Sequence, residues 1–137
     1  MKVGGIILCG GKSRRMGQHK PWLPFAGELL LPRVARLLSE VVEPIVVVSA
    51  PAQELPTLPP TVALVQDETP DRGPLEGMAA GLSALMGRAD AAYVSGCDAP
   101  LLQPAFVRRM ISLIGPHAAC TPFVDGRYHP LAAVYRV

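Results

Sequence analysis

Thirteen residues near the start of the chain, LCGGKSRRMGQHK (Leu8 to Lys20), include five of Lys, Arg or His and not one carboxylate. Glycines at 10 and 11 let a backbone pass close to a ligand and turn its N–H groups inward. Arg14, Arg15 and Lys20 add cationic donors. Together these residue types make a polyphosphate cradle. The spacing fits neither G-x-x-x-x-G-K-[ST] nor G-x-G-x-x-G, which disfavours the ordinary triphosphatase and dinucleotide loops. The other reading of the same residues is a plain turn at Gly10-Gly11 with the basic side chains on a solvated face.

Asp98, in the order Asp-Ala-Pro after the apolar run AAYVS, is the second candidate. Mg²⁺ takes one or two protein carboxylates together with water and phosphate oxygens, and a lone carboxylate at a strand end suits that role. The competing role is an Asp that caps the next turn, stiffened by Pro100. Asp67, after VALVQ, has the same two readings, with a ligand hydroxyl or base edge as its functional partner. Cys9 and Cys97 stand beside these motifs, yet neither belongs to a motif for nucleophilic catalysis, and both suit tight strand ends as small residues. Cys9, Cys97 and Cys120 are odd in number and widely spaced, which argues against a disulfide framework or a zinc site and for reduced thiols. His117 and His129 read as surface or turn residues.

Something must bring these residues to one place. Val3 to Cys9 is a short apolar run bounded by glycine, the pattern of a strand buried on both faces. Leu29 to Val42 repeats apolar residues at helical spacing, with Pro32 tolerable in the first turn. A β-branched strand follows Pro44, and Pro51 to Pro60 (PAQELPTLPP) is a linker with too many prolines for a helix. Val62 to Val65 reads as a strand, Leu75 to Met86 as a helix, Ala91 to Ser95 as a strand and Pro104 to Ile114 as a helix. Ala118 to Val124 reads as a strand, Asp125-Gly126 as a hairpin turn, and Leu131 to Arg136 as the strand after it. Leu82, Leu85, Met86, Val107, Met110, Ile111 and Ile114 are core stripes. Alternating strands and helices predict a three-layer α/β domain, a mostly parallel sheet with helices on both faces. Ligands of such sheets bind beyond the carboxyl ends of the strands. The basic stretch, Gln66-Asp67, the block Arg72 to Gly77 and Cys97 to Pro100 all fall at that edge, and one cleft should collect them.

With 137 residues, 50% of them hydrophobic and 18% charged, the chain suits one domain, residues 1–137. No apolar run approaches the roughly 20 residues of a membrane span, and the N-terminal run lacks the form of a signal peptide. The expectation is a cytoplasmic protein without membrane attachment. A net charge of +2 does not supply the basic face that nucleic-acid binding needs.

Taken in order, the motifs resemble those of the glycine-rich-loop nucleotidyltransferases. LCGGKSRRMGQHK is similar to the family pattern L-x-G-G-x-S-x-R-M-G-x-x-K, and RGPLEGM and GCDAP resemble later blocks of its molybdenum cofactor guanylyltransferase branch. The resemblance implies a Rossmann-like nucleotidyltransferase fold and an Mg²⁺-dependent reaction in which GTP and the phosphate of molybdopterin give a dinucleotide and pyrophosphate. It implies that Leu8, Cys9, Gly10 and Gly11 form the nucleotide loop, and that Arg15 and Lys20 neutralise the triphosphate. Asp67 would contact the guanosine part, Asp98 would hold Mg²⁺, and Gly73, Pro74, Leu75 and Gly77 would approach the base. Ser49 stands where relatives carry a nucleotide-contacting Asn, and His129-Pro130 resembles an H-P pair near the acceptor. His19 stands where the family often has Asp. CGG and GPLEGM favour guanine, whereas cytidylyl-transferring cousins tend towards A-A-G and G-M-x-x-S. Implied partners are proteins of molybdenum cofactor biosynthesis and molybdoenzyme maturation. Family members usually continue some fifty or more residues further, through an N-x-N-T-P-type segment that nothing here matches. A C-terminal segment is therefore expected to be lacking, and a related cytidylyltransferase, another phosphate acceptor, or a binding module without turnover stay open.

Overall fold

The computed structural model describes residues 1–9, 20–67 and 73–137. Four apolar runs become parallel strands: β1 (Val3–Leu8), β4 (Ile45–Ser49), β5 (Val62–Gln66) and β6 (Ala91–Gly96). The helices between and after them are α1 (Leu30–Ser39), α2 (Pro74–Leu85) and α3 (Pro104–Leu113). Short strands complete the chain: β2 (Pro24–Phe25), β3 (Glu28–Leu29), β7 (Ala119–Cys120), β8 (Phe123–Val124), β9 (Arg127–Tyr128) and β10 (Ala132–Arg136). The main sheet runs β5-β4-β1-β6-β10-β7, with β10 antiparallel to both neighbours.

Successive strand residues point to opposite faces, so Ile6 and Ile7 enter different cores. Ile7, Val47, Tyr93 and Val134 pack with Leu31, Val34 and Leu38 of α1 and Val107 and Met110 of α3. Ile6, Val46, Val48 and Val94 pack with Met78 and Leu85 of α2 on the other face. That makes three layers, and it explains why β1, β4 and β6 read as unbroken apolar runs: both of their faces are covered. Glycine lets α2 lie close to the sheet. A Cβ on Gly81 would fall 2.7 Å from Ile6 Cγ2.

Chain order sets the position of the crevice. From β1 the chain moves to β4 and β5 on one side, then crosses through α2 to β6 on the other. The switch lies between β1 and β6, the place where open α/β sheets bind ligands at the carboxyl ends of their strands.

Two expectations fail in detail. The stretch 118–124 is not one strand, because β7 ends at Cys120 and β8 begins at Phe123 in a separate hairpin. Pro122 lies in the break, and it has no N–H to continue a ladder. The Asp125-Gly126 turn is present, with both residues at positive φ (52° and 76°), as a type I′ turn requires. The strand after it, however, is β9 and not the 131–136 stretch. β10 covers most of that stretch and instead pairs β6. A third feature was not expected: β2 and β3 form a small hairpin through Ala26-Gly27, also at positive φ (50° and 82°).

Candidate active site

The cleft begins where β1 ends. The Cys9 amide donates to the Val48 carbonyl at 2.8 Å, and the Cys97 amide donates to the Leu8 carbonyl at 3.1 Å. The last residues of β1 are thereby held to β4 on one side and to β6 on the other. Leu8 also touches α2: a Cβ on Gly77 would meet Leu8 Cδ2 at 3.3 Å and Asp67 Oδ2 at 3.7 Å. The Asp67 amide donates to the Ser49 carbonyl at 2.8 Å, and both residues are buried. Asp67, Gly77, Leu8, Cys97 and Asp98 thus form a connected row along the strand ends.

Asp98 leaves β6 with its carboxylate folded back over Gly96, where an added Cβ would stand 2.7 Å from Oδ1. Its side chain is 52% exposed, and Oδ2 lies 3.0 Å from Lys20 Nζ. The basic stretch therefore ends on the carboxylate that was read as a metal ligand. Cation and anion neutralise one another at the switch point, each with a face open to solvent.

α2 starts at the same edge. Gly73 takes φ 82° immediately before the helix, and Pro74 occupies its first turn, where no N–H is needed. The free N–H groups and the dipole of this helix end favour an anion or a polar base edge.

The two thiols at the strand ends are free and buried. The neighbouring Cys97 side chain, then burial, pushes the Cys9 thiol far above its ordinary range.

A hollow of about 490 Å³ opens beside Asp98, bounded by Tyr93, Ser95, Leu102, Phe106 and Leu131. Burial raises the Tyr93 phenol to about 12, so it stays a neutral wall. His129 is exposed in the turn between β9 and β10, two residues before Leu131. A larger hollow, about 600 Å³, is bounded by Lys2, Pro44, Ile45 and Val62 at the amino ends of the strands. None of the described motif residues lines it, whereas the hollow beside Asp98 is lined by Asp98 itself.

Gly10, Gly11, Arg14, Arg15, His19 and Arg72 lie outside the described residues. Leu8, Lys20, Ser49, Pro74 and Gly77 belong to elements that end or begin at the cleft, and Cys9, Asp67, Gly73 and Asp98 lie within two residues of such ends. Sequence reasoning did not find Arg33. Its Nε donates to the Pro100 carbonyl at 2.7 Å and its Nη1 to Glu28 Oε2 at 2.9 Å, tying the loop after Asp98 to α1 and the β2–β3 hairpin. Arg36 Nε donates to Glu28 Oε1 at 2.8 Å. Led by the Arg36 hydrogen bond, these contacts hold Glu28 down at about 2. No periodicity links Glu28 to Arg33, because they sit in different kinds of element. Among the described residues, no group of three His, Cys, Asp or Glu side chains could hold a metal, and no helix is long and apolar enough to cross a membrane.

Comparison with known proteins places this cleft in context. The family model of the MobA-like NTP transferase domain matches residues 5–137. A probable molybdenum cofactor guanylyltransferase of Mycolicibacterium paratuberculosis is 38% identical over 141 residues, covering 99% of this chain and 70% of the relative. Among solved structures, molybdopterin-guanine dinucleotide biosynthesis protein A of Archaeoglobus fulgidus aligns with TM-score 0.70 at 23% identity, over 99% of this chain and 67% of that one. The 2-C-methyl-D-erythritol 4-phosphate cytidylyltransferase of Thermus thermophilus aligns with TM-score 0.71 at 15% identity, over 98% and 70%. Both structural likenesses concern the Rossmann-like nucleotidyltransferase fold.

Proposed function

This chain belongs to the family of MobA-like NTP transferase domains, and we propose that it transfers GMP from GTP to the terminal phosphate of molybdopterin, releasing pyrophosphate. The observation that carries this reading is the Lys20–Asp98 pair at the strand switch point, 3.0 Å apart and open to solvent. Guanine is favoured over cytosine by the CGG and GPLEGM motifs and by the names of the relatives, since the fold is common to both kinds of transferase.

The reaction brings two anions together. A phosphate oxygen of the acceptor forms a bond to the α-phosphorus of GTP in line with the departing pyrophosphate, whose bridging P–O bond breaks. The attacking phosphate is already ionised at neutral pH, so no general base is required, and the task of the site is positioning and charge stabilisation. Lys20 exchanges the Asp98 carboxylate for phosphate oxygens when the triphosphate enters, and Arg15 supports it. Asp67 meets the guanosine part beside Gly77, while Gly10, Gly11, Gly73 and Pro74 offer close backbone approach. The half-exposed Asp98 carboxylate fits Mg²⁺, which draws few ligands from protein and the rest from water and phosphate. Bound there, Mg²⁺ would neutralise charge on the phosphate oxygens. The hollow between Asp98, Phe106 and Leu131 is where the acceptor body would lie. Proteins that deliver molybdopterin or receive the product are the expected partners.

The test is turnover: α-labelled GTP or CTP with molybdopterin and Mg²⁺, followed by product and pyrophosphate. Label moving from GTP and not from CTP supports the reading. Transfer from CTP instead, or GTP binding without any transfer, contradicts it.

A further inference from the structure

The proline-rich stretch after β4 reads from sequence as a linker, yet it carries two contacts that a passive connection does not need. Gln53 uses both ends of its side-chain amide. Its Oε1 accepts from the Ala50 amide at 2.9 Å, and its Nε2 donates to the Cys9 carbonyl at 3.0 Å. The next residue contributes its backbone: the Glu54 carbonyl accepts from the Trp22 indole Nε1 at 3.0 Å. Leu55 and Leu58 then pack against the α1 core, and Pro56 is buried, so the stretch is itself anchored.

The two contacts fall on the two stems of the basic stretch. Cys9 is the last described residue before residues 10–19, and Trp22 closes the 3-10 turn Lys20–Trp22 that follows them. Adjacent residues of one anchored segment therefore grip the way in and the way out. Lys12, Arg14 and Arg15 carry like charge into this stretch, and Lys20 at its end is held by Asp98 at 3.0 Å. Fixing both stems limits the span those residues must close and sets where Lys20 begins.

We propose that residues 50–58 form a clasp that positions the triphosphate loop, with Gln53 and Trp22 as positioning residues for Lys20. The inference rests on reading residues 10–20 as a triphosphate cradle, and it adds an element that composition assigned to no function. Neither side chain is placed against substrate; both act through the stems.

Gln53→Leu removes both amide contacts at similar volume, and Trp22→Phe removes the indole donor while keeping an aromatic ring. Each hydrogen bond of this kind is worth about 3- to 10-fold in an equilibrium constant. The clasp predicts that each variant raises the KM and Kd for GTP by about that factor, with kcat within about twofold of wild type. The double variant should lose less than the product of the single losses, because a loop freed at one stem gains little from the other. A second readout needs no nucleotide. Trypsin cuts after Lys12, Arg14 and Arg15, and both single variants should be cut there several-fold faster than wild type, with cutting elsewhere unchanged. Should Gln53→Leu fail to fold, Gln53→Glu keeps the acceptor to Ala50 and replaces the donor to Cys9, and the same shifts are expected. Folded variants with wild-type KM for GTP and wild-type cleavage of the loop would overturn the clasp. Failure of wild type to bind GTP would instead count against the cradle, with trypsin still deciding whether the stems are held.

Discussion

Lys20 Nζ and Asp98 Oδ2 lie 3.0 Å apart across 78 residues of sequence, and their side chains remain 32% and 52% exposed. A pair so open to water contributes little to folding, about 0–1 kcal/mol for exposed ion pairs in general. Its placement at the switch between β1 and β6 points to a ligand rather than to stability. Lys20→Ala and Asp98→Asn should each leave the denaturant midpoint nearly unchanged. Turnover should fall by about 100-fold or more, the scale seen when a charge-stabilising group is removed. Lys20→Ala should also weaken GTP binding, and Asp98→Asn should abolish the Mg²⁺ dependence. A large loss of stability with near-normal kcat would assign the pair to the fold.

Glu28 supplies a pH test of the support behind the site. The guanidinium groups of Arg36 and Arg33 lower its pKa from 4.5 to about 2. Because the folded value is the lower one, its contribution is fully present above about pH 4.5 and is lost as pH falls towards 2. Melting temperatures of wild type and Glu28→Gln should differ at neutral pH and converge across that window. A difference that stays constant through it would mean the arginines do not hold the carboxylate.

Gly81 sets the distance between α2 and β1. A Cβ there would fall 2.7 Å from Ile6 Cγ2, a fully buried and stiff side chain. Overpacking costs about 1–3 kcal/mol, while replacing helical Gly with Ala returns about 1 kcal/mol. Gly81→Ala should be net destabilising in urea titration. Gly77→Ala, where the nearest atom is 3.3 Å away, should come close to neutral. Equal midpoints for the two variants would show that α2 is not seated on Ile6.

Cys9 and Cys97, buried at the strand ends, suit packing as small side chains. Cys9→Ala and Cys97→Ala should lower stability by about 1 kcal/mol each through the small cavity left behind. They should keep kcat within about threefold. Loss of turnover in a stably folded Cys9→Ala protein would return the thiol to the chemistry.

Much of this architecture is legible in the chain because a strand covered on both faces must be apolar throughout, as VGGIIL and IVVVS are. Helices packed on one face must carry stripes, as α1 and α3 do. Once the strands are placed, topology puts Cys9, Asp67 and Asp98 at one edge, so most of the candidate site follows from the fold. What escapes reading is contact between distant segments. The break at Pro122 hides inside a run that looks continuous, and the two-residue strand after the Asp125-Gly126 turn is too short to stand out beside the longer run that forms β10. Ala26-Gly27 gives a weaker turn signal than Asp-Gly, and two-residue strands leave little pattern for its hairpin. The hydrogen bonds of Gln53 to Cys9 and of Arg33 to Pro100 join residues 44 and 67 apart, and no periodicity encodes such pairs.

The most direct measurement is calorimetric titration of the purified chain with GTP, CTP and ATP, each with and without Mg²⁺, alongside Asp98→Asn. The account predicts Mg²⁺-dependent binding that prefers GTP and loses its metal dependence in the variant. Equal binding of all three nucleotides, or GTP affinity indifferent to both Mg²⁺ and Asp98, would contradict it.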